Sequence, residues 1–406
     1  MKNKSSGTIF LFILIICSIN FFEFQAIRGS IVKYFQFGYL FLGVLISLPH
    51  MFPKKNDGFI LPVQLISFSI ILSIFISMVT WGQSFGDSLA GSILVLVWVI
   101  FFYLKHVNFS IRKIEKIIII YGIIYLFLYF FQFLHSDKNY FIDLESVDQS
   151  RGITRIVFPG QGVFYVTVYM AINKLTTQKR NKWFWATLSI MGIVVTVMQV
   201  TRQYIFAVVI IYLYHFVKDQ NLFKKIGFVS CVLGLVFYII QSDNPIVEGL
   251  RDTQQQTAED GADYIRVRAA TFFLTDFSHS PINRILGNGE PYGESSPYYK
   301  YTTYYITNYG YWLADVGLVA VYAMFGVFAV LGYILIWVKS YVIKLPKNFL
   351  YLRYYLWYLL LTSLTSATSY LSSNLIATVL VVYIYQHIYE KEKINSLIHT
   401  KYKLNL

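Results

Sequence analysis

The sequence predicts an all-α polytopic membrane protein, and three observations carry that reading. Of 406 residues, 56% are hydrophobic and only 14% are charged, with a mean hydropathy of +0.54. A soluble domain of this size carries about 25% charged residues. Apolar runs of about 17–25 residues, the length that crosses a hydrocarbon core, recur along the whole chain. The polar connectors between them are short and basic, except for one long segment at 242–310. Cys17 and Cys231 both lie inside apolar runs, so neither a disulfide framework nor a thiolate metal site is implied.

About twelve spans follow from the apolar runs, all within one integral membrane domain, 1–406. The first, at about 7–24, follows Lys2 and Lys4 and has no small-residue cleavage site, so it reads as an uncleaved first helix. The others fall at about 31–52, 59–81, 89–104, 117–134, 156–173, 183–201, 203–217, 225–241, 311–338, 354–371 and 374–389. An even number places both termini on one side, and the charges choose the side. The connectors at 54–55, 105–116, 174–182, 218–225 and 339–353 and both termini share one face. That face carries 23 of the 34 Lys+Arg but 5 of the 21 Asp+Glu. The positive-inside rule makes it cytoplasmic. The net charge of +13 is thus a topology signal, and a nucleic-acid partner loses its main support.

The outer face has a different basic composition. It carries 3 Lys and 8 Arg: Arg28, Arg151, Arg155, Arg202, Arg251, Arg266, Arg268 and Arg284. Lysine suffices to anchor an inner loop. Arginine has a planar, permanently charged fork that matches phosphate and carboxylate oxygens. The set predicts anionic ligands on this face; pairing with the many outer acids is the alternative.

The large outer loop, 242–310, divides in two. Residues 242–261 are polar and include Gln254, Gln255 and Gln256. Residues 263–277 place Ile265, Ala269, Phe272, Phe273 and Phe277 at helical spacing, predicting an amphipathic helix at the membrane surface. Arg266 and Arg268, two apart, point in different directions on such a helix. Pro281, Gly287, Gly289, Pro291, Gly293 and Pro297 are then expected to break regular structure. The tyrosines that follow suit either an interfacial belt or a platform for sugar rings. Gly287-Asn288-Gly289 follows no strand and opens no helix in a βαβ unit, which argues against a nucleotide loop. No zinc spacing exists.

An earlier outer loop, 135–155, precedes a span broken by Pro159, Gly160 and Gly162. Irregular backbone there needs cover from protein or a watery cavity. Arg151 and Arg155 are one turn apart if helical and could share a ligand. Arg202, in a very short turn, is either a ligand contact or a snorkelling side chain. Candidate bases are His279, Asp276 and Glu290, with Glu294 and Asp315 also near the Arg/Gly cluster. Asp315 opens a span and needs an arginine partner or water. The Ser/Thr/Ala-rich stretch 359–374 suits close helix packing first and a polar cavity lining second.

These residues resemble bacterial polysaccharide polymerases of the O-antigen and capsule type (Wzy-type), within the O-antigen ligase–polymerase superfamily. The layout of about twelve spans with one late outer loop matches. So does 266–289 (RVRAATFFLTDFSHSPINRILGNG), in its order of Arg, apolar helix, Phe, Pro and Gly-x-Gly. Asp315-Val316-Gly317-Leu318 resembles the acid-x-Gly-apolar opening of the next span, and Arg151 and Gly162 have ten residues between them. Two departures stand out. The histidine of the ligases is replaced by Ile306, which argues for a polymerase. The second Arg-x(10)-Gly spacing is missing, because Ala262 stands eleven after Arg251.

The resemblance implies a GT-C-like architecture in the bacterial cytoplasmic membrane. It also implies transfer between undecaprenyl-diphosphate-linked oligosaccharides, with a flippase and a chain-length regulator as partners. The leaving diphosphate is then expected on Arg266 and Arg151, with Arg155, Arg268, Arg202 and Arg284 around it. No metal or cofactor is expected. The rival readings are a lipid-linked oligosaccharide flippase and an O-antigen-type ligase.

Overall fold

A computed structural model describes residues 6–27, 29–141, 147–148, 155–221, isolated positions from 223 to 230, and 264–404. Most of the expected span at 225–241, the polar half of the large loop at 242–263, and Arg28, Arg151 and Arg251 lie outside the described residues. The described chain is nearly all helix.

The first part comprises α1 (Ser6–Ser18), α2 (Ser30–Ser47), α3 (Ile60–Trp81), α4 (Phe85–Ser92), α5 (Ile100–His106) and α6 (Ile111–Leu134). A two-residue strand pair, β1 (Val147–Asp148) and β2 (Arg155–Ile156), runs antiparallel with Asp148 opposite Arg155. Then come α7 (Gln161–Thr177), α8 (Lys182–Met198) and α9 (Arg202–Val217). The large loop contributes α10 (Ile265–Thr275), α11 (Pro281–Leu286) and α12 (Pro297–Tyr309). The chain closes with α13 (Leu318–Val342), α14 (Leu350–Thr362) and α15 (Ser372–Leu404).

Four helical stretches are long and apolar enough to cross a membrane: Ser30–His50, Ile60–Trp81, Ile111–Leu134 and Leu318–Val342. A fifth crossing arises if Phe85–Ser92 and Val95–His106, bent by 63°, count as one. Gly7–Ser18, Lys182–Met198 and Arg202–Val217 are apolar but shorter. The expected span 59–81 coincides with α3. The expected span 89–104 is the bent pair, broken where the chain passes from Ser92 to Val95.

α7 is the centre of one half, with every residue from Gln161 to Asn173 buried. It packs against α6, α8, α14 and α15, while α13 packs most extensively along α3. A helix buried on all sides needs no polar face, yet α7 carries Gln161, Tyr165, Tyr169 and Asn173 at four-residue spacing. Tyr165 donates to Gln199 Oε1 (3.1 Å), and Gln199 Nε2 donates to the Tyr125 hydroxyl (3.0 Å).

Three local expectations change. Pro281 and Pro297 begin helices rather than interrupt structure. Each is the first helical residue, where a missing N–H costs nothing, behind Ser280 and Ser296, whose hydroxyls accept from Asn283 N and Tyr299 N. The helix expected over 263–277 is α10, but its apolar side is taken up by protein. Ala269, Phe272 and Phe273 are buried in the core that α10 shares with α13. The expected spans 354–371 and 374–389 become α14 and α15, separated by irregular chain at 363–371.

Candidate functional site on the large loop

The site is built on a backbone plug. α13 is interrupted at Gly326, whose φ of 76° and ψ of −175° suit glycine alone. A break there leaves carbonyls of the preceding turn without their usual donors. Residues 287–289 supply replacements. Asn288 N–H donates to Ala323 O (3.0 Å), Gly289 N–H to Met324 O (2.8 Å) and Asn288 Nδ2 to Ala323 O (2.8 Å). The two chains approach so closely that a Cβ on Gly287 would collide with Met324 O, and one on Gly326 with Ile285 O. Gly287-Asn288-Gly289 therefore docks a loop into a broken helix.

α3 grips the same loop from its other side. Trp81 Nε1 donates to Asn288 Oδ1 (2.9 Å). Gln83 Nε2 donates to Glu290 O (2.9 Å), and Gln83 Oε1 accepts from Tyr292 N–H and the Ser296 hydroxyl, both at 3.0 Å. The Tyr298 hydroxyl donates to Gly289 O (2.9 Å). Gln83 and Trp81 carried no signal in the sequence, since their partners stand about two hundred positions away.

Glu290 is thereby fixed between this plug and α4, where Gly91 packs against it. Its Oε2 is sealed from solvent and has no hydrogen-bond partner among the described residues. The residue as a whole retains some surface. Burial pushes its carboxyl up to about 7, because the ionised form loses hydration without gaining a partner. A carboxyl poised near neutrality suits proton transfer.

The other two candidate bases sit in different surroundings. Asp276 is exposed at the end of α10 and accepts from the Thr275 hydroxyl (2.8 Å). His279 is exposed and lies on Trp81, with ring centroids 3.9 Å apart, and edge-on to Tyr301 at 5.2 Å.

The arginines sit in different surroundings. Arg266 Nη2 pairs with Asp315 Oδ1 at 3.3 Å, with both side chains about two-fifths exposed. Such a pair adds at most about 1 kcal/mol to stability. Arg155 lies on β2, so it is not on a helix with Arg151. Its Nε donates to Gln199 O (3.1 Å) and its Nη2 to Thr201 Oγ1 (3.3 Å). Tyr204 feels the charges of both Arg155 and Asp315, and Tyr370 feels those of Glu290 and Asp315.

A series of hydrogen bonds runs from Arg155 to Thr201, from Gln203 to Thr365, and from the 363–367 segment to Ala314 and Leu318, on either side of Asp315 and its partner Arg266. It connects the end of the earlier outer loop with the late one. Arg268 is exposed on α10, Arg202 is exposed at the start of α9, and Arg284 donates to Thr275 O (3.0 Å) at the surface. None of these three takes part in that series of hydrogen bonds among the described residues, and Arg151 lies outside them. Tyr204 and Tyr370 were not singled out in the sequence; each is one of 34 tyrosines.

Compared with known proteins, the chain matches no family model and no curated protein sequence.

Proposed function

We propose that this protein is a polysaccharide polymerase with about twelve spans in the bacterial cytoplasmic membrane. Both termini are inside and the site is outside. It joins undecaprenyl-diphosphate-linked oligosaccharide repeats, as the residue pattern of Wzy-type enzymes implies. The observation that carries the chemistry is Glu290, on the same loop as Arg266, whose Oε2 is sealed from solvent and whose carboxyl is pushed up to about 7 by burial.

A hydroxyl on the incoming lipid-linked repeat attacks the anomeric carbon of the growing chain. The new glycosidic C–O bond forms as the bond to the lipid diphosphate breaks. The hydroxyl proton passes to the Glu290 carboxylate, and the departing electron pair stays on the diphosphate. Arg266 and Arg155, with Arg151 as the residue pattern of Wzy-type enzymes implies, stabilise that charge as it develops. Asp315 holds Arg266 in place and is displaced as the diphosphate engages. The guanidinium already carries a carboxylate neighbour and so is preformed for an anionic oxygen.

Arg266→Lys and Arg155→Lys test the arginine roles. Each keeps the charge but loses the fork, and each is expected to reduce polymer formation roughly 10–100-fold at equal protein level. Gel analysis of surface polysaccharide from cells carrying each variant reads this. Thermal stability is measured alongside, because Arg155 also holds backbone. Full-length polymer in both variants would remove the assignment.

A further inference from the structure

Between α14 and α15 the chain is irregular over 363–371, and with the first turn of α15 it reads SLTSATSYLSSN. Backbone of this kind beside apolar helices must be covered by protein or face water. The backbone is covered: Leu318 N–H donates to Ser363 O (3.0 Å), Ala367 N–H to Ala314 O (2.9 Å), and the Tyr333 hydroxyl to Ser369 O (2.8 Å).

The side chains are not matched in the same way. Ser363 Oγ, Ser369 Oγ and Asn374 Oδ1 are sealed from solvent with no hydrogen-bond partner among the described residues. All three residues are 0% exposed. Buried polar atoms are almost always paired, so three orphans on twelve consecutive residues call for a partner. The lip of the segment is open: Leu364 and Thr365 are exposed, and the Thr365 hydroxyl meets Gln203 Oε1 on α9.

Position narrows the partner's chemistry. The segment is bonded to Ala314 and Leu318, which flank Asp315, and to Gln203, two residues from the Thr201 hydroxyl that Arg155 donates to. The segment therefore lies between Arg155 and the Asp315–Arg266 pair. An alkyl chain has no use for three polar atoms. A phosphate accepts from the two serine hydroxyls but leaves Asn374 Oδ1, itself an acceptor, unmatched. A group that both donates and accepts at several points fits, and sugar hydroxyls do so.

We propose that residues 363–374 form a saccharide subsite that holds the hydroxyls of the lipid-linked repeat between Arg155 and the Arg266–Asp315 pair. It rests on the functional reading above and adds the contact that recognises the sugar rather than the lipid diphosphate. Opening at the Leu364–Thr365 lip admits the ring, and its hydroxyls pair with the three orphaned atoms.

The double variant Ser363→Ala/Ser369→Ala separates recognition from folding. It deletes two orphaned hydroxyls, so the full-length protein in nanodiscs should unfold at the same temperature or higher. Affinity for lipid-linked oligosaccharide extracted from the source cells should fall about tenfold. Affinity for sugar-free undecaprenyl diphosphate should not change. Unchanged affinity for the glycosylated lipid, equal losses for both lipids, or a lower unfolding temperature would overturn the subsite. If the wild type makes no polymer, the functional reading fails. Titration with the lipid-free oligosaccharide then decides the subsite separately: binding that the double variant weakens supports it, and no binding by the wild type overturns it.

Discussion

Glu290→Gln is expected to cut polymerisation by roughly 10²–10⁴-fold, the usual contribution of a positioned acid–base group. Glutamine keeps the shape and cannot accept the proton. The wild-type rate should rise with pH through about 7, as the buried carboxyl ionises, and the residual rate of the variant should be flat there.

Stability should move the other way. The Glu290 carboxyl is raised from its ordinary 4.5 to about 7. Its contribution to stability is fully present below 4.5 and is lost as pH rises through 7. The loss is on the order of 3 kcal/mol at full ionisation. Above pH 8 the glutamine variant should therefore be the more stable protein while being the less active one. Thermal unfolding in detergent at pH 5 and pH 8, beside initial rates over the same range, reads both effects. A variant as active as wild type, or an unshifted pH profile, would remove Glu290 from the chemistry.

The second large effect is on folding. Gly287→Ala and Gly326→Ala each force a side chain into a conformation reserved for glycine and against a carbonyl of the facing chain. Backbone strain of about 1–3 kcal/mol and overpacking of about 1–3 kcal/mol add to roughly 2–6 kcal/mol per substitution. Neither contact relaxes by a side-chain rotation, because the opposing atoms are backbone. Gly38→Ala on α2 is the matched control. Nothing lies within 4 Å of its added Cβ, so the change should be neutral or stabilising by up to about 1 kcal/mol. Aggregation temperature in detergent separates the cases. Equal behaviour of Gly326→Ala and Gly38→Ala would mean that the loop does not seat in the α13 break.

How much of this was legible in the sequence depended on the range of the forces involved. α3 was readable because twenty-two consecutive residues, Ile60–Trp81, carry no charge and are mostly apolar, and Gly82 ends them with a left-handed residue. The break at 363–371 was not. Its Ser and Thr are tolerated inside helices, and its irregular path is fixed by hydrogen bonds to Ala314 and Leu318 about fifty residues away.

The site divides in the same way. Arg266 and Asp315 were both visible as charges at apolar edges, and each needed the partner the other provides. Glu290 stood in the sequence as one of three equivalent candidate bases. Its burial, which separates it from Asp276 and His279, comes from Gln83, Asn288 and the kink at Gly326. The helical expectation for Arg151 and Arg155 gave way at Arg155, because pairing with Asp148 draws that residue into a strand.

Reconstitution of the purified protein with lipid-linked repeats as the only substrate bears most directly on the central claim. In proteoliposomes with outward-facing protein, products should lengthen into a ladder spaced by one repeat, with undecaprenyl diphosphate released at each step and no nucleotide sugar present. Movement of the lipid-linked repeat across the bilayer with no product longer than the starting unit would contradict it.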